Sequence, residues 1–304
     1  MPQPTEPPAS APPPGLVDLD PDQPAASATV AILGALFEIV RAHEEGVRRA
    51  DDPEPLHDFR VAVRRARSAL GQLRDVLPAA PGKRLRRELS WLAGATGPSR
   101  DLDVFMEKLP AYLASLPAHL AADAGAVGER LAQLRARARR LLAAELDSGR
   151  YRRLVRAWPR TLAAAAEPGL AAGRLPIAEV AADRIARARG RVLALAAGSG
   201  PSAPAADLHK LRIACKKLRY LSEFFRSLHD EAETARKIEA LKVLQDVLGD
   251  LNDLSFQRST LHRLAGRSRP ARAAVAALDE LLAGLERERR QALAPLLRSA
   301  ATSL

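Results

Sequence analysis

The sequence predicts an all-α protein built as two similar helical halves, and three observations predict it. Apolar residues make up 47% of the 304-residue chain but aromatics only 4%, and Ala and Leu, both strong helix formers, supply much of the apolar content. No segment sustains the period-two alternation of a half-buried strand. The stretch LHDFRVAVRRARSALGQLRDVL at residues 56–77 also returns at 208–229 as LHKLRIACKKLRYLSEFFRSLH, at an offset of 152 residues.

Taken in order, residues 1–26 hold many of the 23 prolines, including Pro12, Pro13 and Pro14, and read as a disordered tail. Val30, Leu33, Phe37 and Val40 recur at helical spacing, predicting a first helix over 27–50. Asp51, Asp52, Pro53 and Pro55 end it and suit the start of the next, the motif helix, which Pro78 and Pro81 close. A third helix is expected over 82–95, stopped by Gly97 and Pro98, with Ser99 capping a fourth that begins near Arg100. Helices follow over 119–147 and 150–166, then a Gly- and Pro-containing loop over 167–176 that divides a first repeat, 27–170, from a second, 171–304.

The second repeat carries a helix over 177–197, the linker GSGPSAPA, the second motif helix, and helices over 231–249, 253–265 and 270–298. Gly249 aligns with Gly97, and Asn252, Asp253 and Leu254 align with Arg100, Asp101 and Leu102, so the correspondence runs ungapped from residue 57 to at least residue 105.

Net charge is +11, and residues 1–27 contain four acidic residues and no Lys or Arg, leaving +15 on the remainder. Such an excess repels itself in a compact chain and fits a polyanionic partner, the competing account being a genomic bias toward arginine. The single cysteine, Cys215, excludes an internal disulfide framework and a multi-cysteine zinc site, and fits a reducing compartment. MPQPTEPPAS has neither a basic leader nor an apolar core, and VAILGALFEIV is short and interrupted by Glu38, so no signal peptide or membrane span is expected and the placement is cytoplasmic.

At 100° per residue, His57, Arg60, Arg64 and Arg67 fall within about 80° of one another, while Phe59, Val63, Ala66, Leu70 and Leu73 cluster about 120° away. The second copy repeats this, with His209, Arg212, Lys216 and Arg219 displayed and Leu211, Cys215, Leu218 and Phe225 packing. Arg65 and Lys217 complete the cationic sets, and each row rises about 15 Å, longer than a single phosphate. An arginine fork donates two bonds to phosphate oxygens, a lysine acts as a point charge, and a histidine donates in either charge state. A solvated charged face is the alternative, but it need not keep a histidine followed by cations at +3, +7, +8 and +10 in both copies.

Arg100, Asp101 and Asp253 are orienting or secondary candidates. Asp101 and Asp103 read as helix-dipole or salt-bridge partners rather than metal ligands, because Ser255 stands opposite Asp103 in the second copy. RARARR at 135–140 and Arg150, Arg152, Arg153 and Arg156 either extend the basic surface or are solvated faces. No P-loop, nucleophile elbow, H-E-x-x-H pair or shared carboxylate pair is present, so no catalytic residue, metal or cofactor is assigned. Neither a helix-turn-helix nor an aromatic stacking platform supports nucleic acid, which charge alone leaves as an alternative partner.

The pattern L-H-x-x-R-x-x-x-[RK]-[RK]-x-R, present twice and followed each time by G-x-x-x-D-L at 97–102 and 249–254, resembles the CHAD family, the conserved histidine α-helical domain. The resemblance covers about residues 27–300. It implies two pseudo-symmetric antiparallel bundles forming one domain, with a central basic groove or pore that binds inorganic polyphosphate, and association with polyphosphate granules. It carries over His57, Arg60, Arg64, Arg65, Arg67, His209, Arg212, Lys216, Lys217 and Arg219 as the polyphosphate-binding set. Many members also hold a triphosphatase domain that this chain has no room for, so any catalysis would lie in a separate polyphosphate-metabolising partner. Lys210 in place of Asp58, and Asn252 in place of Arg100, predict two sites of unequal strength.

Overall fold

Proline decides where many of the helices begin. The computed structural model describes residues 17–50, 52–165, 170–265 and 272–304, and these contain helices and no strand. The helices are α1 (Ala25–Arg49), α2 (Glu54–Gln72), α3 (Ala79–Ala114), α4 (Ala121–Leu146), α5 (Gly149–Ala165), α6 (Ala171–Arg174), α7 (Ile177–Ala197), α8 (Ala205–Phe224), α9 (Glu231–Ala265) and α10 (Arg272–Ser303). Pro24, Pro53, Pro78, Pro176 and Pro204 stand immediately before α1, α2, α3, α7 and α8. Each ring presets its own φ and disfavours helical geometry in the residue before it, so these helices start sharply without a side-chain cap.

The duplication runs through the whole architecture. Helices α1 to α4 start at Ala25, Glu54, Ala79 and Ala121, and α7 to α10 start at Ile177, Ala205, Glu231 and Arg272, in the same order and at nearly the same spacing. Helix α5 has no counterpart among α7 to α10. The two halves meet where the chain passes itself at Pro24 and Pro176, with the Ala25 N–H donating to the Leu175 carbonyl and the Ile177 N–H to the Gln23 carbonyl, both at 2.9 Å. These two bonds exchange with each other under the 152-residue offset, so the crossing has a local two-fold relation.

Three apolar cores hold the helices. The first is lined by α1, α2, the start of α3 and α5, with Phe59, Leu89 and Trp158 fully buried, and it also takes Ile177 from α7 and Tyr220, Leu221 and Phe224 from α8. The second joins α7 to α10 around Leu211, Cys215, Leu218 and Leu293. The third combines Phe105 and Leu109 of α3 and Leu131 of α4 with Leu261 of α9 and Leu278 and Leu282 of α10. The division near residue 170 is therefore one of chain order rather than of packing, since the first and third cores draw on both repeats.

Three expectations change. Gly97 and Pro98 do not stop a helix, because α3 continues through them, and α9 is likewise continuous where two helices over 231–249 and 253–265 were expected. Ser99 lies inside α3, fully buried, and caps nothing. Pro98 and the Gly94 carbonyl it leaves without a helical donor are on the exposed side of α3, where the carbonyl is open to solvent. The tail is ordered from residue 17: Leu19 is buried and its N–H donates to Ser227 Oγ at 3.1 Å. The disorder expected for residues 1–16, the N-terminal role of Asp51, and parts of the loops at 166–169 and 266–271 lie outside the described residues.

Helix α1 is long and apolar enough to cross a membrane by length and composition alone. Its Ile32, Leu33 and Leu36 are wholly buried in the first core.

Gly173 of α6 is closed in by neighbouring chain, since a Cβ there would sit 2.7 Å from the Val76 carbonyl oxygen and 3.3 Å from Ala26 Cβ. A backbone carbonyl cannot swing aside as a side chain can. Gly173→Ala is expected to lower stability by about 1–3 kcal/mol, read as a lower urea midpoint with unchanged helical circular dichroism.

Candidate functional site

Burying one face of each motif helix forces the opposite faces toward each other, because α2 and α8 cross and bond directly. Gln72 Nε2 of α2 donates to the Lys217 carbonyl of α8 at 3.3 Å and to Ser68 Oγ at 2.9 Å. Beside this crossing lies a cavity of about 350 Å³ lined by Arg64, Arg67, Ser68, Gly71 and Gln72 of α2, Arg86 and Ser90 of α3, and Ile213, Lys216, Lys217 and Tyr220 of α8. Five basic side chains line it and no carboxylate does. Among the described residues, none of Arg64, Arg67, Arg86, Lys216 or Lys217 has a carboxylate oxygen within 4 Å. A second cavity of about 390 Å³ adjoins it, sharing Gln72, Ile213 and Lys217 and adding Arg184, Arg187 and Arg191 of α7.

The electrostatics follow from burial and repulsion. Burial lowers the pKa of Arg60, Arg67 and Arg212, and in each the neighbouring Arg64 adds to the effect. Lys216 is pushed down to about 6 by burial first and then by Arg64, Arg212 and Arg219. His57 is lowered by burial and then by Arg100, so its imidazole is neutral at pH 7. Asp101 is raised by burial, an effect that Arg60 opposes and Asp253 reinforces.

The motif residues separate into three roles. Arg64, Arg67, Lys216 and Lys217 face the cavity. Arg60 is turned into the fold: its guanidinium donates to the Ala93 carbonyl at 3.0 Å and to Thr96 Oγ1 at 3.2 Å, with Asp101 at 3.8 Å. A Cβ at Gly97 would lie 3.4 Å from the Arg60 guanidinium, and one at Gly249 would lie 3.8 Å from that of Arg212. The glycine of G-x-x-x-D-L thus lies against the first arginine of the motif in both halves, inside two long helices.

Arg65 departs furthest from expectation. It is buried rather than displayed, and its Nη2 meets Glu223 Oε2 at 2.6 Å, with its Cζ 5.7 Å from the Tyr220 ring centroid. Arg219 shares Glu223 at 3.6 Å and lies 5.6 Å from the same ring. His57 is half-buried, His209 is exposed, and neither lines either cavity. Arg100 acts on His57, while Asp253 accepts from Asn252 Nδ2 at 3.4 Å.

Arg86 is the cavity residue that the repeat does not reveal. Its counterpart at the 152-residue offset is Ile238, so no duplicated pattern marks it. Three of the expected extensions of the basic surface are instead structural: Arg135 and Arg139 clamp the buried Asp103 at 2.5 and 3.0 Å, and Arg150 pairs with Glu88 at 2.7 Å and lies over Trp91. Among the described residues, no cluster of ligand side chains could hold a metal ion.

The model of the CHAD domain matches residues 31–262. The chain belongs to the CHAD domain family. The crystal structure of the CHAD domain from the plant Ricinus communis is 30% identical, with a TM-score of 0.84 over 97% of this chain and 98% of that one. PptA from Streptomyces chartreusis is 19% identical, with a TM-score of 0.65 over 92% of this chain and 100% of that one, a likeness of fold. No curated protein matches the chain. The CHAD domain is a binding module, and polyphosphate binding is a known property of the family.

Two predictions test the separation of roles. Glu223→Ala leaves Arg65 buried without its carboxylate and is expected to cost about 3–5 kcal/mol of stability in urea melts. Lys216→Met should stabilise the empty protein. Native Lys216 titrates near 6 against an ordinary 10.5, so between these values the unfolded chain holds a proton that the native one lacks, and wild-type stability rises with pH. The gain from Lys216→Met should therefore grow as pH falls from about 10 to about 6, measured by denaturation across that range.

Proposed function

We propose that this CHAD domain binds inorganic polyphosphate in the cavity between α2 and α8, without catalysing a reaction on it. The observation that carries the reading is the set Arg64, Arg67, Arg86, Lys216 and Lys217, five basic side chains from three helices converging on one cavity with no carboxylate among the lining residues. A lone phosphate meets a few of these groups at a time, whereas a flexible chain with a charge on every unit engages them together. The neighbouring cavity adds Arg191, while its Arg184, Arg187 and Lys210 are paired with Asp75, Asp183 and Asp207, so the unbalanced charge stays concentrated at the first cavity.

Arg60 and Arg212 support the site from behind, and His57, His209, Arg100, Asp101 and Asp253 belong to its surroundings. Arg65 and Arg219 act through Glu223 and Tyr220 as the brace across the two helices. In the cell, the domain would sit in the cytoplasm and bring polyphosphate granules together with a separate polyphosphate-metabolising enzyme.

The test is a three-way competition among long-chain polyphosphate, RNA and duplex DNA at physiological salt. Polyphosphate should win, with log K falling steeply against log salt as counterions are released. Replacing Arg64, Arg67, Lys216 and Lys217 by Gln should weaken binding by about a hundredfold or more and flatten the salt slope by about one unit per cation removed. Preference for a nucleic acid, or unchanged binding by the quadruple variant, would overturn the reading.

A further inference from the structure

Lys216 differs from the arginines at the site in being a nucleophile, and from the exposed Lys217 in being half-buried among them. Its counterpart in the first half is Arg64, whose guanidinium does not attack carbonyl carbon, so one half-site alone carries an amine at this position. Around it stand Arg64 and Arg67 of α2, Arg86 of α3, and Arg212, Lys217, Arg219 and Tyr220 of α8, with Asp253 of α9 the acidic group that opposes them. An amine in that enclosure holds its proton weakly and is free base at neutral pH, with titration near 6 as described above. The same guanidinium groups form a ready seat for a phosphoryl group beside it.

We propose that Lys216 is a self-acylation site for acyl phosphates, with the phosphoryl group seated on Arg64 and its neighbours and the acyl carbon presented to the lysine amine. The inference rests on the anion-binding reading of the cavity. In the step, the Nζ lone pair attacks the acyl carbon, the bond from that carbon to the bridging oxygen breaks, and the electron pair leaves on phosphate. The displaced amine proton goes to that phosphate, so lysine and acyl phosphate give an N-acyl-lysine and hydrogen phosphate. The product has lost the basic nitrogen and places an acyl group in the cavity, which opposes later polyanion binding.

The chain has seven lysines, and Lys237 and Lys242, paired with Glu233 and Glu239 at the surface of α9, serve as internal references. The experiment incubates the full chain with acetyl phosphate from pH 6 to 9 and follows acetylation of each lysine by peptide mass spectrometry. At pH 7, Lys216 should react about tenfold or more faster than Lys237 and Lys242, because an ordinary lysine is almost wholly protonated there. Its rate should level off above about pH 7 while theirs keep rising.

Two further arms separate the parts. p-Nitrophenyl acetate, which has no phosphate to seat, should show a preference for Lys216 at least severalfold smaller. Added long-chain polyphosphate should suppress acetylation at Lys216 and leave Lys237 unchanged. Reaction at Lys216 no faster than at Lys237, or equal preference with both reagents, overturns the proposal while leaving polyphosphate binding intact. Preferential acetylation that polyphosphate does not suppress supports the acylation site and sinks the polyphosphate reading of the cavity.

Discussion

Two unit charges of like sign 4 Å apart repel by about 4 kcal/mol even at an effective dielectric constant near 20. Helices α2 and α8 cross with their cationic faces on a common cavity, so the fold must hold that repulsion in place without a ligand. It does so from behind. Phe59, Val63 and Ala66 of α2 and Leu211, Cys215 and Leu218 of α8 are buried in apolar cores on the side away from the cavity. The third core joins α3 and α4 to α9 and α10, so repulsion at the crossing cannot be relieved by parting the two halves.

Within that frame the duplicated helices have diverged at single positions that decide which charges are spent. Arg65 is neutralised because Glu223 lies within reach across the crossing. Its equivalent, Lys217, would need an acid at residue 71, where the chain has Gly71. One member of the pair therefore becomes a brace and the other remains a free cation on the cavity wall. Arg86 of α3 reaches the cavity beside the same glycine, its guanidinium 3.4 Å from where a Cβ at residue 71 would lie.

Much of this was legible in the sequence. The helical class, the start and end of α7, the two motif helices and the split between their apolar and cationic faces follow from periodicity and from the 152-residue offset. What failed did so for identifiable reasons. Gly97 and Gly249 look like helix ends in one dimension, whereas α3 and α9 run straight through them. Arg65 looks like a cavity cation because its partner is 158 residues away on a helix whose approach depends on the whole fold. Arg86 is invisible to a repeat-based reading because Ile238 stands opposite it. Leu19 was assigned to the tail by its proline-rich surroundings, though a single leucine on a short ordered segment is enough to seal the edge of the first core.

The standing repulsion also says how a ligand would be received. A cavity whose cations are held apart by packing needs little rearrangement to accept a polyanion, so binding would not be opposed by the entropy of gathering mobile side chains from two domains. Part of the affinity would come from relieving repulsion that already exists in the empty protein, and Lys216 is where that relief is largest. A polyphosphate chain filling the cavity places many negative charges beside it and favours the ammonium over the free amine, so the filled cavity turns a nucleophile into one more cation holding the chain. Polyphosphate binding and amine reactivity are then opposite readings of one side chain, set by whether a long polyanion occupies the space between α2 and α8.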